Sequence, residues 1–324
     1  MKDNDVNNSC LISGGAGFIG SSLTEALLNK EYTVAVVDNF SSGKKENLQT
    51  VLDHPRLTIV EADLKKESKE LCKIVRECGL IFHFAANPEV RVGETEPEIH
   101  FEENIIATFN MLEAIRMANV PKIIVFASTS AVYGEATKIP TPEDYGPLIP
   151  ISTYGASKLA CEALITSYAY TFSHRALILR FANVIGKRSR HGVIVDFIRK
   201  IRENPRQLRI LGDGKQEKSY IHIQDCTAAI AHLTQYFLSD DKRVDIFNIG
   251  NLDMITVQKI AEIVAREMNH SDVKFRLEGG VDGGRGWKGD VKTMQLSVEK
   301  LLETGWKPQY SSRKAVEIAA KELQ

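Results

Sequence analysis

Short apolar runs of strand length alternate with longer amphipathic stretches over the first half of the chain. The strand-type runs are 9–13, 32–38, 57–61, 80–85, 122–128 and 176–180. The helical stretches are 21–30, 67–78, 98–118 and 153–172. This alternation is typical of a parallel sheet whose two faces are covered by helices, and it predicts an α/β fold.

The pattern changes beyond about residue 182. Glycines and charged residues become more frequent in three segments, 186–192, 211–218 and 278–289, and the predicted elements become shorter. A helix at 225–238 and a strand at 244–249 are expected to rejoin the sheet. We therefore predict a first domain formed by 1–182 plus about 224–251, and a smaller, discontinuous C-terminal domain formed by about 183–223 plus 252–324.

A glycine turn joins the first predicted strand to the first predicted helix, with the sequence Gly14-Gly15-Ala16-Gly17-Phe18-Ile19-Gly20. Glycines let the backbone approach a pyrophosphate closely, and the N–H groups at the start of the helix can bind its oxygens. Strand, glycine turn and helix in this order predict a dinucleotide-binding, doubly wound parallel sheet of the Rossmann type. The alternative is a glycine-rich turn without a ligand.

An acidic residue, Asp38, ends the second predicted strand at the distance expected for a ribose-binding residue. Its carboxylate would bind the ribose hydroxyls of NAD and would repel the 2′-phosphate of NADP. Asp38 therefore disfavours the ligand-free alternative and favours NAD. Lys44 and Lys45 follow closely enough in sequence to leave NADP open.

Composition narrows the class of protein. The 324 residues include 41 lysines and arginines against 42 aspartates and glutamates, so there is no overall basic field for nucleic acid or an anionic membrane. Residues 1–8 lack the features of a signal peptide, and no apolar run has the length of a membrane span. These properties agree with a soluble enzyme that binds neither nucleic acid nor membranes.

The cysteines bear on location and on metal binding. They are Cys10, Cys72, Cys78, Cys161 and Cys226. Their odd number and the absence of a CxxC pair disfavour both a disulfide framework and a zinc site. We therefore expect a reducing, cytoplasmic location and no metal.

Tyr154 and Lys158 lie four residues apart in the predicted helix 153–172, which would bring them onto one face, one turn apart. A free tyrosine titrates near about pH 10, and a neighbouring ammonium would stabilise the phenolate and make Tyr154 a useful base at neutral pH. Solvated helix neighbours show the same spacing by chance. The pair therefore indicates a catalytic site only in combination with the glycine turn and Asp38.

The sequence resembles the extended short-chain dehydrogenases/reductases over essentially its whole length, and within them the UDP-glucose 4-epimerase-like, NAD-dependent epimerase/dehydratase family. The matching blocks are the Gly14 turn, Asp38-Asn39-Phe40-Ser41-Ser42-Gly43, Asp63-Leu64, His83-Phe84-Ala85-Ala86, Ser128-Thr129-Ser130-Ala131-Val132-Tyr133-Gly134, Tyr154 with Lys158, and Leu211-Gly212-Asp213-Gly214. The resemblance implies NAD as the cofactor and a nucleotide sugar, UDP-linked by analogy, as the substrate.

The resemblance also implies roles for individual residues. Tyr154 is expected to be the base, Lys158 to lie against the nicotinamide ribose, and Thr129 to hydrogen-bond the reacting sugar oxygen. The residues expected to contact NAD, besides Tyr154 and Lys158, are Gly14, Gly17, Phe18, Ile19, Gly20, Asp38, Asn39, Ser42, Gly43, Asp63, Leu64, Ala85 and Ala86.

Further residues are implied on the substrate side. Asn183 is expected to contact the sugar or the diphosphate, Arg209 the uracil or its ribose, and Arg285 the diphosphate. Lys218 occupies a position where the family usually has an arginine, and a lysine cannot supply the bidentate fork of a guanidinium. The diphosphate ligand therefore stays open between Arg285 and Lys288.

The activity implied is epimerisation at C4 of the hexose through a transient 4-keto sugar, with NAD regenerated in place. The nearest alternative is a nucleotide-sugar 4,6-dehydratase, but the acid pair that follows its catalytic threonine is replaced here by Ser130 and Ala131. A keto-sugar reductase and a decarboxylase are further alternatives. A non-catalytic NAD-binding regulator would not need Tyr154, Lys158 and Thr129 together. The sugar stays open among glucose/galactose, their N-acetylated forms and the uronic acids.

The resemblance finally implies a homodimer. The predicted helices 98–118 and 153–172 correspond to those that pair across a twofold axis in relatives. The alternative is that their apolar residues face only their own sheet.

Overall fold

The computed structural model describes residues 8–66, 69–281 and 283–324. Residues 1–7, which belong to the segment predicted not to be a signal peptide, and 67–68, which open one predicted helix, lie outside the described residues. The strands are β1 (Ser9–Ser13), β2 (Thr33–Asp38), β3 (Leu57–Glu61), β4 (Leu80–His83), β5 (Ile123–Thr129), β6 (Arg175–Phe181), β7 (Asn183–Ile185), β8 (Gln207–Leu211), β9 (Glu217–Lys218), β10 (Tyr220–His222), β11 (Val244–Ile249), β12 (Ile255–Thr256), β13 (Lys274–Glu278) and β14 (Thr293–Met294).

The α-helices are α1 (Phe18–Asn29), α2 (Lys69–Glu77), α3 (Glu98–His100), α4 (Ala107–Met117), α5 (Thr153–Thr171), α6 (Val193–Glu203), α7 (Ile223–Leu238), α8 (Val257–Glu267), α9 (Glu299–Glu303) and α10 (Ser312–Glu322). Short 3₁₀ turns cover Lys45–Val51, Val90–Glu94 and Ser130–Tyr133. A π-helical turn, Phe101–Ile106, joins α3 to α4. None of the helices within the described ranges is long and apolar enough to cross a membrane.

The alternating strands and helices predicted for the first half are confirmed, with small differences at their ends. The strand predicted at 80–85 ends at His83, and α1 begins at Phe18, three residues before the predicted start. The helix predicted at 98–118 is interrupted by the π-helical turn, which places a buried asparagine, Asn104, inside it.

A seven-stranded parallel sheet forms the centre of the first unit, in the order β11-β6-β5-β4-β1-β2-β3. The chain moves outward from β1 to β3, and then crosses to the other side of β1 to form β4. The carboxyl ends of β1 and β4 therefore lie side by side, with Ser13 opposite His83. In open parallel sheets, the crevice at such a reversal of strand order is where ligands bind.

The core of the first unit lies between the sheet and the helices that cover it. Strand residues such as Leu11, Ile81 and Ile124 are fully or almost fully buried, and they pack in one cluster with Met111 of α4 and Ile165 of α5. Strands buried on both faces read as continuous apolar runs, which is why the periodicity predicted them well. Burial of this surface is the main stabilising contribution, and it holds the strand ends in place.

The second unit contains Ser130–Gly155, Phe181–Cys226 and Asn248–Gln324. Its strands form small sheets, β12-β9-β14, β10-β7 and β13-β8. Its core is a separate cluster, in which Phe197 of α6, Ile260 of α8 and Val316 of α10 pack together. Short strands around a helical core agree with the shorter elements predicted beyond residue 182.

The units differ from the predicted domains in one segment. The first unit runs up to Thr129 and also contains Ala156–Arg180 and Thr227–Phe247, so 130–155 belongs with the second unit. Tyr133 Oη donates to Asn248 Oδ1 at 2.8 Å, and Thr141 N donates to the carbonyl oxygen of Gln295 at 2.8 Å. These long-range hydrogen bonds explain the difference. The division of the chain by function stays a prediction.

Candidate active site

The glycine turn after β1 is shaped by contacts that exclude any side chain. At Gly14, φ is +68°, and a Cβ would lie 2.7 Å from the backbone nitrogen of Ala85. At Gly20, a Cβ would lie 2.1 Å from the carbonyl oxygen of Gly14. Helix α1 begins next to this turn, and its N-cap, Gly17, has no side chain to bind the first N–H groups. Those groups are therefore available to an anion such as a pyrophosphate.

Substitution of Gly20 by alanine is expected to open this turn, because the added Cβ would clash with Gly14. Overpacking of this kind costs about 1–3 kcal/mol. We expect Gly20→Ala to retain markedly less NAD through purification, measured from the absorbance of the released cofactor. Gly279→Ala is the matched control, because a Cβ there meets no atom within 4 Å. Equal NAD content in the two variants would contradict the close approach at Gly20.

Asp38 holds the glycine turn to the end of β2. Its Oδ2 accepts from the N–H of Ala16 at 2.9 Å, and its Oδ1 accepts from the N–H of Phe40 at 2.8 Å. Burial raises the pKa of this carboxyl above its ordinary value, and the two N–H groups oppose that rise. Each oxygen keeps a second lone pair for a ribose hydroxyl. Lys45, one of the lysines that left NADP open, faces Glu61 at 3.5 Å.

The other residues expected to contact NAD lie around this edge of the first unit. Asn39 Oδ1 accepts from Ser41 N at 3.1 Å in the turn that leads to Ser42 and Gly43. A Cβ at Gly43 would lie 2.9 Å from Asp38 Oδ2, so this turn also approaches the carboxylate.

Asp63, Leu64, Ala85 and Ala86 follow the carboxyl ends of β3 and β4. Asp63 Oδ1 accepts from the N–H of Lys65 at 3.0 Å, and Leu64 is buried. The strand order brings the ends of β3 and β4 to the same edge as the glycine turn. Their individual contacts to NAD stay predictions.

Lys158 is buried on α5, one turn after Tyr154, as the spacing predicts. Its Nζ donates to the carbonyl oxygen of Ala127 at 2.7 Å and lies 4.7 Å from the centre of the Phe126 ring. Burial lowers the pKa of Lys158 to about 8, so the ammonium form still prevails at neutral pH. Ala127 belongs to β5, whose last residue is Thr129. Lys158 is thus anchored two residues before the threonine.

A buried ion pair that was not predicted from the sequence holds the same helix to two strands. Glu162 accepts from Arg180 of β6 through both carboxylate oxygens, at 3.0 and 2.7 Å, and from Ser128 Oγ of β5. The signal was present in the spacing, because Glu162 follows Lys158 by the same four residues that separate Lys158 from Tyr154. Glu162 is thus the third polar residue in a row at four-residue spacing, and this spacing indicates a helix face that contacts polar groups in the core.

Asn104 is the second residue whose importance the sequence did not reveal. Its Oδ1 accepts from the N–H of Asn87 at 2.8 Å, and its Nδ2 donates to Ser157 Oγ at 2.8 Å. Both partners are distant in sequence, and Ser157 lies directly before Lys158.

In the second unit, the structure brings three of the four expected substrate residues into one set of contacts. Lys218 Nζ donates to Asp290 Oδ1 at 2.6 Å, and Asp290 Oδ2 accepts from the N–H of Gly286 at 3.2 Å, next to Arg285. Asn183 Nδ2 donates to the carbonyl oxygen of Ser219, the neighbour of Lys218, at 3.1 Å. Two cations and an amide therefore belong to the same local structure.

The fourth residue, Arg209, makes different contacts. Its side chain is more than half exposed and faces Glu278 at 3.8 Å across β8 and β13. It lines an open polar cleft together with Lys200 and Arg276. Its predicted contact with uracil or ribose stays a prediction.

Comparison with known proteins identifies the family. Residues 10–250 match the profile of the "NAD dependent epimerase/dehydratase family". The chain belongs to this family. It is 30% identical to a putative UDP-glucose 4-epimerase of Methanocaldococcus jannaschii, over 94% of this chain and 95% of that protein. Two UDP-glucuronic acid decarboxylases of Arabidopsis thaliana also match, at 28% and 30% identity over 97% and 96% of this chain and 67% and 88% of their own lengths.

Solved structures of the epimerase/dehydratase family superpose closely on this chain. A crystal structure of UDP-galactose 4-epimerase is 42% identical and covers 97% of this chain and 98% of its own, with a TM-score of 0.85. A Thermus thermophilus UDP-glucose 4-epimerase in complex with NAD is 29% identical over 97% of this chain and 98% of its own, with a TM-score of 0.82.

NAD is the cofactor of the family, and the residues present fit it. The turn at Gly14 leaves room only for backbone, and the first N–H groups of α1 have no side-chain cap. The carboxylate of Asp38 keeps open lone pairs beside that turn. These features match an anionic pyrophosphate and a ribose diol, respectively.

Proposed function

We propose that this protein is an NAD-dependent UDP-hexose 4-epimerase. The observation that carries the proposal is helix α5, which places Tyr154 one turn from a buried lysine that is anchored to the strand ending in Thr129. A tyrosine, an ammonium and a hydroxyl are the groups needed to move the proton of a sugar hydroxyl. Membership of the epimerase/dehydratase family supports the proposal.

NAD, when bound, supplies the site that takes hydride from C4 of the hexose and returns it to the opposite face. Tyr154, as phenolate, accepts the proton of the C4 hydroxyl and later gives it back, so that no proton is gained or lost overall. The Lys158 ammonium favours the phenolate form. Thr129 orients the hydroxyl by a hydrogen bond. The buried position of Lys158 keeps water from screening its charge.

We propose that the second unit binds the UDP portion, with Asn183, Lys218 and Arg285 at the diphosphate. Both cations are held by carboxylates: Lys218 by Asp290, and Arg285 by Glu135. Glu135 is 47% exposed, and pairs open to solvent contribute little free energy, so Glu135 can be replaced by a diphosphate at Arg285 at low cost. Lys288 is exposed and remains the alternative to Arg285.

The residues after Thr129 favour an epimerase over a 4,6-dehydratase. Elimination of water needs an acid and a base near C5 and C6 of the sugar. The two positions after Thr129 carry Ser130 and Ala131, and neither side chain can do this work. A decarboxylase or a reductase of the same family remains the alternative, because the same three groups serve those reactions.

The proposal is tested with the purified protein and a panel of UDP- and dTDP-linked hexoses, N-acetylhexosamines and uronic acids. Products are separated by chromatography, first without added NAD and then with it. We expect interconversion of one UDP-sugar with its C4 epimer and no net formation of NADH. The proposal of an epimerase would be wrong if no member of the panel reacted. It would also be wrong if a uronic acid released carbon dioxide or if NADH formed in net amounts.

We further propose that the protein is a homodimer that pairs through the helical face formed by 98–117 and α5. Tyr168 Oη donates to Glu113 Oε1 at 2.6 Å, so the two helices are neighbours. Large apolar side chains on them are exposed, among them Phe109 at 41% and Tyr170 at 64%. An exposed apolar face of this extent is typical of an interface between subunits.

Substitution of Phe109 by glutamate is expected to produce a monomer, because it places a charge in the core of the interface. Light scattering should give half the mass of the wild type at the same concentration. Leu252→Glu is the control, since Leu252 is also a large exposed apolar residue, at 59%, but lies in the second unit. A monomeric wild type would contradict the proposed homodimer.

We also propose a cytoplasmic location, which the five free thiols support.

A further inference from the structure

A row of buried polar side chains crosses the first unit from the end of β1 to helix α5. Its members, each at most 1% exposed, are Ser13, His83, Thr108, Cys161 and Asn104. Ser13 Oγ lies 2.7 Å from His83 Nδ1, and His83 Nε2 lies 2.9 Å from Thr108 Oγ1. Thr108 Oγ1 lies 3.2 Å from Cys161 Sγ, which lies 3.3 Å from the carbonyl oxygen of Asn104. These buried polar groups therefore serve as hydrogen-bond donors and acceptors for one another.

The direction of the first hydrogen bond follows from the contacts of Ser13. Its Oγ accepts from two backbone N–H groups, those of Phe84 at 3.2 Å and Ala85 at 3.3 Å. The Phe84 N–H is shared with the carbonyl oxygen of Ser13, at 3.1 Å. With both N–H groups directed at the lone pairs of Oγ, we assign the one proton of the Ser13 hydroxyl to the hydrogen bond with His83 Nδ1. Nδ1 of His83 is therefore an acceptor and carries no proton.

The remaining protons are fixed in turn. Burial, together with the nearby Lys158 ammonium, lowers the pKa of His83 to about 3, so its ring is neutral and its one proton lies on Nε2. Nε2 donates to Thr108 Oγ1, and the Thr108 hydroxyl donates to Cys161 Sγ. Burial raises the pKa of Cys161, so this residue is a thiol and donates to Asn104. Every hydrogen bond in the row runs in one direction.

The two ends of the row lie at different parts of the cofactor site. One end holds the backbone of Ala85, the residue that approaches Gly14 most closely. The other end is Asn104, whose side chain binds Ser157, directly before Lys158, and also the N–H of Asn87. The row therefore connects the loop after β4 with the segment of α5 that carries the ammonium.

We propose that His83 is a positioning residue of the cofactor site: as a neutral ring protonated at Nε2, it keeps the loop carrying Ala85 in a fixed place relative to the segment of α5 carrying Lys158. The inference rests on the proposed function, in which NAD binds at this edge of the sheet. When the hydroxyl of one member is removed, the donor on one side loses its acceptor and the acceptor on the other side loses its donor, so the two ends of the row are no longer linked.

The protonation state of His83 can be measured directly by nitrogen-15 NMR of the histidine rings in the full-length protein. The His83 signals are assigned by their absence from His83→Gln. We expect the shift of a protonated nitrogen at Nε2 and of an unprotonated one at Nδ1, unchanged between pH 5.5 and 8.5. Protonation at Nδ1, or titration of the ring within this range, would overturn the inference.

A matched pair of variants tests the effect on the cofactor. Thr108→Val keeps the shape of the side chain but removes the hydroxyl that links His83 to Cys161, whereas Thr108→Ser keeps the hydroxyl. We expect Thr108→Val to release NAD about tenfold faster, the fold-change that corresponds to about 1.4 kcal/mol and lies within the range for a buried donor left without an acceptor. Thr108→Ser should release NAD at the wild-type rate.

The outcomes separate positioning from stability alone. If Thr108→Val lowers the unfolding temperature but leaves NAD release unchanged, the row is only structural and the inference is wrong. If Thr108→Val does not fold, Cys161→Ala and Cys161→Ser form the second pair, with the same expectations. Neither measurement uses a sugar, so a wild type that epimerises no UDP-hexose would refute the proposed function and leave these results standing.

Discussion

Turnover of the UDP-hexose is expected to fall by about 10²–10⁴-fold in Tyr154→Phe, because this is the range that a positioned proton-transfer group contributes. Phenylalanine keeps the ring and the helix and removes only the hydroxyl. NAD should therefore stay bound at the wild-type level. The measurement is the rate of formation of the C4 epimer by chromatography, with NAD content determined on the same sample.

Tyr236→Phe is the matched control for this experiment. Tyr236 lies on α7, outside the proposed subunit interface, and is 39% exposed, so this variant should turn over substrate at the wild-type rate. A Tyr154→Phe protein as active as this control would show that Tyr154 is not the base. Loss of bound NAD from Tyr154→Phe would instead show that the substitution acts on the cofactor rather than on proton transfer.

Glu162→Gln is expected to destabilise the first unit by about 3–5 kcal/mol, the cost of leaving a buried charge without its partner. Glu162 and Arg180 are each at most 4% exposed, so water cannot solvate the guanidinium left behind. The free energy of unfolding is measured by denaturant titration followed by circular dichroism. NAD should be absent from both samples, because bound cofactor adds to the apparent stability.

Two further variants identify the cause of that loss. The double variant Glu162→Met/Arg180→Met removes both charges, and replacement of a buried ion pair by apolar side chains is often close to neutral. We expect it to recover most of the stability lost in Glu162→Gln. Ser128→Ala, which removes one neutral donor to Glu162, should cost about 1 kcal/mol. If the double variant were as unstable as Glu162→Gln, the loss of stability in Glu162→Gln could not be due to an unpaired buried charge.

The sequence predicted those features that depend on residues close together in the chain. The turn at Gly14, the acid at the end of β2 and the one-turn spacing of Tyr154 and Lys158 each follow from local backbone geometry. The sheet followed as well, because buried parallel strands are apolar on both faces and stand out against the amphipathic helices.

The parts that were not predicted depend on contacts between distant segments. Nothing near Asn104 indicates that its amide joins Asn87 to Ser157, and nothing near Arg180 indicates a partner on α5. The segment 130–155 lies within the first predicted domain, and its hydrogen bond from Tyr133 to Asn248, more than a hundred residues away, could not be read from the sequence.

The position of β11 at one edge of the large sheet constrains how the protein folds during synthesis. This strand ends at Ile249, beside β6, whereas the other six strands are complete by Phe181. Until the ribosome has delivered roughly seventy more residues, β6 has an unpaired edge, and such edges template association with other chains. A gene cut after the sixth strand would therefore encode a sheet with an exposed edge, and we expect such a product to aggregate.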